Sequence, residues 1–380
     1  MSGTELDDLR RLVIKIGSSL LIDDNGRVDR DWLSNLALDI ADLRAAGHQI
    51  LIVSSGSVAI GSRILGLNES RARLEELQAA AAAGQVALVH AYQEALGGQE
   101  ITAAQILLTP DDTEVRRRFL NARNTLEKLL EFAVVPVINE NDTVATEELK
   151  YGDNDRLAAR VAQIVMADGL ILLSDVDGFY TADPRSDSNA RHLPLVRTVT
   201  DDLFAMAGKS GSAIGRGGMT TKLQAAKIAT HAGCSTFIAS GDMDRPLHTL
   251  ANGGKCTIFE SNGTPATARK QWLAGVLEVC GELRLDAGAA AALKNGSSLL
   301  PVGIVEVVGS FRRGDAVTLV DAAGTELGRG LVAYAVDEAT VIKGCRSEQI
   351  ESKLGYRGRA VMVHRDDLVL FPAKESLKSA

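Results

Sequence analysis

The chain has 380 residues, 46% of them hydrophobic and 24% charged, with a formal net charge of −8. That length suits about two domains, and the acidic balance argues against a broad nucleic-acid or anionic-membrane surface, since the densest basic run is only Arg116-Arg117-Arg118. Cys234, Cys256, Cys280 and Cys345 lie far apart and form no C-x-x-C pair, which suits neither a zinc site nor a disulfide framework and fits reduced thiols in a cytoplasmic protein, and no apolar run reaches the roughly 18 residues of a membrane span.

Through residues 11–260, short β-prone runs alternate with longer helical patterns. This predicts a mainly parallel open sheet sandwiched by helices. The first predicted strand, 12–16, carries Lys15 inside an apolar run and opens into Gly17-Ser18-Ser19. A lysine in a strand is most often an edge residue, but here the small residues leave backbone N–H groups free to face an anion, with Lys15 as a point charge beside them. After a helix over 31–46, strand 49–54 runs into Ser55-Gly56-Ser57 and a helix start. Unpaired N–H donors there favour a carboxylate or phosphate, the plainer alternative being ordinary capping by Ser55 or Ser57.

A helix over 74–96 and strand 101–108 follow, and then Thr109-Pro110-Asp111-Asp112-Thr113-Glu114, which reads equally as a mobile loop or a solvated helix start. Helix 121–132 leads to strand 134–138. Behind that strand, Asn139 to Asp155 packs carboxylates and carboxamides more densely than solvation of a loop requires. Open α/β sheets bind ligands just past the carboxyl ends of their strands. Helix 154–167 and strand 170–174 come next, the strand ending at Ser174-Asp175. The run Gly215-Arg216-Gly217-Gly218-Met219-Thr220-Thr221-Lys222 then leads into a helix to residue 231, before strand 235–239. It is not a P-loop, because Lys222 follows Met-Thr-Thr and Leu223 stands where Ser or Thr would meet Mg²⁺. Gly47, Gly169 and Gly233 are each predicted to cap a helix C-terminus.

Ser261 to Lys270 breaks the alternation with small and turn-forming residues. Residues 1–262 therefore read as one α/β domain, 263–275 as a linker, 276–370 as a small β-barrel-like domain and 371–380 as a tail. In the second domain the predicted strands are 281–285, 303–308, 316–320 and 331–334, with a short helix over 286–293. Counting from residue 276 to the end gives 13 Lys plus Arg against 14 Asp plus Glu, with no basic stripe. Nucleic acid is thus not the favoured partner.

Two lysines, Lys15 and Lys222, stand beside anion-binding backbone at separate strand ends. That suits phosphoryl transfer, in which positioning and charge neutralisation supply nearly all the catalysis. The six histidines are scattered, and no Ser-His-Asp or Cys-His pattern competes.

Four segments resemble the amino acid kinase family, in particular its glutamate-phosphorylating branch: Pro136-Val137-Ile138-Asn139-Glu140-Asn141-Asp142, Gly152-Asp153-Asn154-Asp155, Tyr180-Thr181-Ala182-Asp183-Pro184-Arg185, and Gly217 to Ala226. The likeness runs almost the full length, and Gly296-Ser297-Ser298-Leu299-Leu300-Pro301 with Val363-His364-Arg365-Asp366-Asp367 is similar to a PUA domain. The resemblance implies ATP and Mg²⁺, with Lys15 and Lys222 as catalytic lysines and Asp155 arranging them. It implies a glutamate site at Ser55, Gly56, Asp142 and Asn154. Nucleotide contacts are implied at Lys15, Gly17, Ser174, Asp175, Arg216, Gly217, Gly218, Met219, Thr220, Thr221 and Lys222, and no protein metal ligand is named. Ser174 and Arg216 depart from the threonine that many members carry at each place. The resemblance further implies self-association as a homo-oligomer, proline as an inhibitor near the glutamate site, and a cytoplasmic enzyme without a membrane partner. Relatives acting on aspartate, N-acetylglutamate, carbamate or UMP share the fold and stay open as alternatives, as does RNA binding through the PUA-like tail.

Overall fold

A computed structural model describes residues 4–23, 25–144, 154–208, 218–275 and 279–371. The chain divides into two units, Met1–Pro265 and Ala266–Ala380.

In the first unit eight strands form one sheet: β1 (Arg11–Ile16), β2 (Gln49–Val53), β3 (Ala103–Leu108), β4 (Val135–Glu140), β5 (Gly169–Ser174), β6 (Leu195–Val196), β7 (Ser235–Ser240) and β8 (Cys256–Phe259). Their order is β3-β4-β2-β1-β5-β7-β8-β6. Every pairing is parallel except β7 with β8. β1 is therefore interior, with Lys15 aligned with Val53 on one side and Leu172 on the other, which excludes the edge position usual for a strand lysine.

Both faces of the sheet are covered, and the two-residue period of a strand sorts its side chains between them. Leu12, Ile14 and Ile16 enter one core cluster with the helix Arg30–Ala45, whereas Val13 enters the other with the helices Asn154–Ile164 and Met219–His231. By the same alternation Lys15 lies on the Val13 face. The helix Asn154–Ile164 buries Asp155 in line with Ala158, Ala159 and Ala162, and Met219–His231 buries Lys222 in line with Ala225, Ala226 and Ala229. Both are i, i+3, i+4, i+7 stripes. Methyl-sized side chains let these two helices pack closely against each other, with a charged group on the first turn of each.

Gly47 and Gly233 take the left-handed conformation expected of C-terminal caps, at φ +98° and +79°. Gly169 does not. It opens β5, and the left-handed position after the preceding helix is filled by Met166 at φ +50°. A Cβ at Gly169 would come within 2.8 Å of the Leu9 and Leu12 side chains, so close packing explains that glycine.

The second unit has its own core around Leu283, Leu285, Phe311, Leu319 and Tyr334. Five strands, β9 (Gly281–Leu285), β10 (Ile304–Gly309), β11 (Ala316–Val320), β12 (Glu326–Leu331) and β13 (Leu368–Leu370), run in the order β10-β9-β11-β12-β13. Asp286 caps the helix Ala287–Lys294, its carboxylate accepting from the Ala289 N–H at 2.6 Å. The strand predicted at 331–334 is displaced to β12. Residues 263–275, expected as a linker, include the helix Pro265–Ala274.

Candidate active site

β1, the helix Asn154–Ile164 and the helix Met219–His231 converge on one buried carboxylate. Lys15 Nζ lies 2.6 Å from Asp155 Oδ1 and Lys222 Nζ lies 3.2 Å from Asp155 Oδ2, with the three side chains 7%, 6% and 0% exposed for Lys15, Lys222 and Asp155. Thr221 Oγ1 stands 3.1 Å from the same Oδ2 and donates to the Gly218 carbonyl at 2.7 Å. Burial opposes ionisation of Asp155, but the attraction of Lys15 and then of Lys222 outweighs it and holds the carboxyl below its ordinary value. Among the described residues, two cations around one anion leave an excess positive charge in a nearly dry place, which is costly unless an anion offsets it.

Lys222 also lines a cavity of about 420 Å³, within the range of small-ligand pockets. Ser174, Asp175, Gly218 and Met219 are in its wall, together with Tyr180, Arg185 and Ser240 from the ends of the neighbouring segments. Ser174 donates to Asp175 at 2.9 Å and Arg185 pairs with Asp175 at 3.0 Å. Burial raises the Asp175 pKa, yet the bonds from Arg185 and Ser174 bring it below its ordinary value. Arg216 and Gly217 lie outside the described residues, as do residues 145–153. Thr220 sits in the first turn of Met219–His231. Gly17 precedes the short helix Ser18–Leu21 at the end of β1, and a Cβ built there would meet nothing closer than 3.6 Å.

Asn154, next to Asp155 in the chain, belongs to a relay of amides. Asn154 Nδ2 donates to the Ser54 carbonyl oxygen and, at 2.8 Å, to Asn139 Oδ1. Asn139 Nδ2 in turn donates to Gln85 Oε1 at 2.8 Å and to Ser57 Oγ at 3.2 Å. Asn154 is thereby fixed against the end of β2, one residue before Ser55 and Gly56. Gly56 has φ +103°, and a Cβ on it would meet Ile22 Cδ1 at 2.8 Å, so both conformation and space require glycine. It leads into the helix Ser57–Leu65. That helix is pressed onto the helix Leu74–Gly97 at backbone contact, because Gly61 and Gly84 leave no room for a Cβ: one at Gly84 would lie 1.8 Å from the Ser57 carbonyl oxygen. Asp142 is half-buried in the turn after β4.

Thus Lys15, Asp155, Thr221 and Lys222 come together, and Ser174, Asp175, Gly218, Met219 and Lys222 share one cavity. Gln85 and the role of Asn139 escape sequence reading, since a glutamine in a helix pattern resembles a solvent-facing residue. The segment Thr109 to Glu114 is settled as a helix start: Pro110–Glu114 is helical, and Asp112 Oδ2 accepts from the Thr109 N–H at 2.8 Å.

The amino acid kinase family matches residues 10–240, and the PUA domain matches residues 281–354. Among curated relatives, the glutamate 5-kinase of Paramagnetospirillum magneticum is 58% identical over 95% of this chain and 98% of its own. That of Rhodopseudomonas palustris is 56% identical over 97% and 99%, and that of a Bradyrhizobium species 55% identical over 98% and 99%. Among solved structures, carbamate kinase from Giardia lamblia bound to AMP-PNP covers 67% of this chain and 100% of its own at TM-score 0.49 and 16% identity, too distant to bear on function.

Proposed function

The chain belongs to the amino acid kinase family, and from that premise we propose that it transfers the γ-phosphoryl group of ATP to the γ-carboxylate of L-glutamate, giving L-glutamyl 5-phosphate and ADP, the first step towards proline. The observation that carries this reading is the position of Asp155. It holds Lys222, which faces the nucleotide-sized cavity, and it is covalently next to Asn154, which belongs to the amide relay at the ends of β2 and β4. One buried carboxylate thus stands between a place for a nucleotide and a place for a small polar acid.

The attacking carboxylate, with an ordinary pKa of about 4.3, is already ionised at neutral pH, so no general base is required. The obstacle is bringing one anion against another. Lys15, Lys222 and the amides near Gly17 and Gly56 offset that repulsion, and their attraction grows as charge gathers on the moving phosphoryl group. Asp155 keeps both lysines aimed at one point. In this reading Asp142 and Asn154 accept hydrogen bonds from the glutamate ammonium, and Ser55 and Gly56 address a carboxylate. Gly17, Ser174, Asp175 and the run Arg216 to Lys222 hold the nucleotide.

Mg²⁺, when bound with the nucleotide, neutralises phosphate charge. Among the described residues no three His, Cys, Asp or Glu side chains converge as a metal cage. We assign residues 1–262 to the kinase domain and 276–370 to the PUA domain, with restraint by proline and homo-oligomerisation belonging to the same proposal. No helix among the described residues is long and apolar enough to cross a membrane, and four cysteines that form no C-x-x-C pair suit a reducing cytoplasm.

A coupled ADP-release assay with L-glutamate, L-aspartate, N-acetylglutamate, carbamate and UMP tests the reading. Turnover with L-glutamate above all others is expected, together with its suppression by proline. Preference for another acceptor would overturn it.

A further inference from the structure

The amide relay carries a polarity that the proposed chemistry alone does not demand. An amide side chain has a donor end and an acceptor end, and which end faces which neighbour decides what it offers a ligand. Here two backbone groups remove the ambiguity. The Ser54 carbonyl can only accept, so the group of Asn154 facing it is its NH₂. The Glu140 N–H can only donate, at 2.9 Å, so the group of Asn139 facing it is its oxygen. Asn154 Nδ2 then has its two protons on Ser54 O and Asn139 Oδ1, and Asn139 Nδ2 has its two on Ser57 Oγ and Gln85 Oε1.

Gln85 closes this relay from the helix Leu74–Gly97, far from the sheet in sequence. It is 7% exposed. Its Nε2 has no hydrogen-bond partner among the described residues, so the side chain keeps a buried donor unsatisfied while its oxygen serves Asn139. Leaving a buried donor unpaired is expensive, which argues against a mere filler at this position.

We propose that Gln85 is a positioning residue that sets substrate selectivity: through Asn139 it holds the Asn154 carboxamide with its nitrogen towards Ser54 and its carbonyl oxygen turned to receive a ligand ammonium. The site then discriminates an α-amino acid from the same dicarboxylate without its amino group. This inference rests on the glutamate reading above. Without the Gln85 oxygen, Asn139 Nδ2 keeps only Ser57 Oγ as an acceptor, so the Asn139 amide, and through it Asn154, is held less firmly in its orientation.

The test compares Gln85→Leu, which removes both ends of the amide, with Gln85→Glu, which keeps an acceptor towards Asn139 whether or not the new group is ionised. Steady-state kinetics are measured for L-glutamate, for ATP and for glutarate, which lacks only the amino group. Gln85→Leu is expected to raise KM for L-glutamate about tenfold, the size of one lost buried hydrogen bond. kcat and the KM for ATP stay close to those of the unaltered enzyme, and the preference for L-glutamate over glutarate falls by the same factor. Gln85→Glu restores most of that preference. An unchanged glutamate-to-glutarate ratio in Gln85→Leu would overturn the proposal, leaving Gln85 a packing residue. So would a Gln85→Glu enzyme whose preference for L-glutamate over glutarate is about tenfold below that of the unaltered enzyme, a result that stands even if Gln85→Leu fails to fold. Failure of the unaltered enzyme to phosphorylate L-glutamate is a separate outcome and strikes the functional reading instead.

Discussion

Lys222 touches both the cavity and the carboxylate that it shares with Lys15. Its replacement by alanine should lower kcat by about 10²–10³-fold, the usual cost of one group that stabilises transition-state charge, while KM for glutamate changes little. A near-normal kcat would remove it from the reaction. Asp155 adds a pH dependence. Its folded pKa lies below its unfolded value, so the stability it contributes is in place above the unfolded value, about 3.9, and is lost as pH falls through the folded value. Asp155→Asn should therefore lower the urea midpoint at pH 7 by leaving two buried lysines uncompensated. The gap from the unaltered protein should narrow under acid conditions, and a gap independent of pH would contradict the ion-pair account. These three charged residues were legible because each stands at a strand end or a helix start within a distinctive local run. Gln85 was not, because its hydrogen-bond partner Asn139 lies 54 positions away along the chain and its burial depends on one helix seating on another.

Helix contacts decide where the site begins. Gly84 meets the first turn of Ser57–Leu65 at backbone distance, so Gly84→Ala must push the two helices apart. The expected cost is about 1–3 kcal/mol or more, as for other overpacked cores, read by urea denaturation, with a rise in KM for glutamate because Ser55 and Gly56 move with the helix. Unaltered stability would mean that the helix pair gives way without strain. Most strands and helices of the first unit were readable from periodicity to within a few residues. The misses have physical causes. β6 has two residues and β8 four, too few to show a period. β12 reads Glu-Leu-Gly-Arg-Gly-Leu, and its glycines look like breakers. They are instead places of close approach: a Cβ on Gly328 would lie 2.0 Å from the Val369 carbonyl oxygen of β13.

At the scale of the whole chain, every residue proposed for chemistry lies in the first unit, and among the described residues its two core clusters reach no further than Phe259. A chain ending at Pro265 should therefore unfold cooperatively and retain glutamate-dependent ADP release; loss of both properties would show that the first unit depends on the second. The two-unit division was visible in the sequence as a change from alternating elements to glycine-punctuated β runs. The order of strands within the large sheet was not, because it depends on which distant segments pair. That order places β1, the first strand synthesised, in the interior between β2 and β5. On the ribosome, at roughly 5–20 residues per second, β2 emerges within seconds, but β5 and the helix bearing Lys222 follow only after several to tens of seconds. Until then one edge of a strand reading Arg-Leu-Val-Ile-Lys-Ile is unpaired and apolar, an invitation to wrong partners. The central strand that brings Lys15 to Asp155 is thus also the one that must wait for a partner made more than a hundred residues later, β5 at Gly169–Ser174.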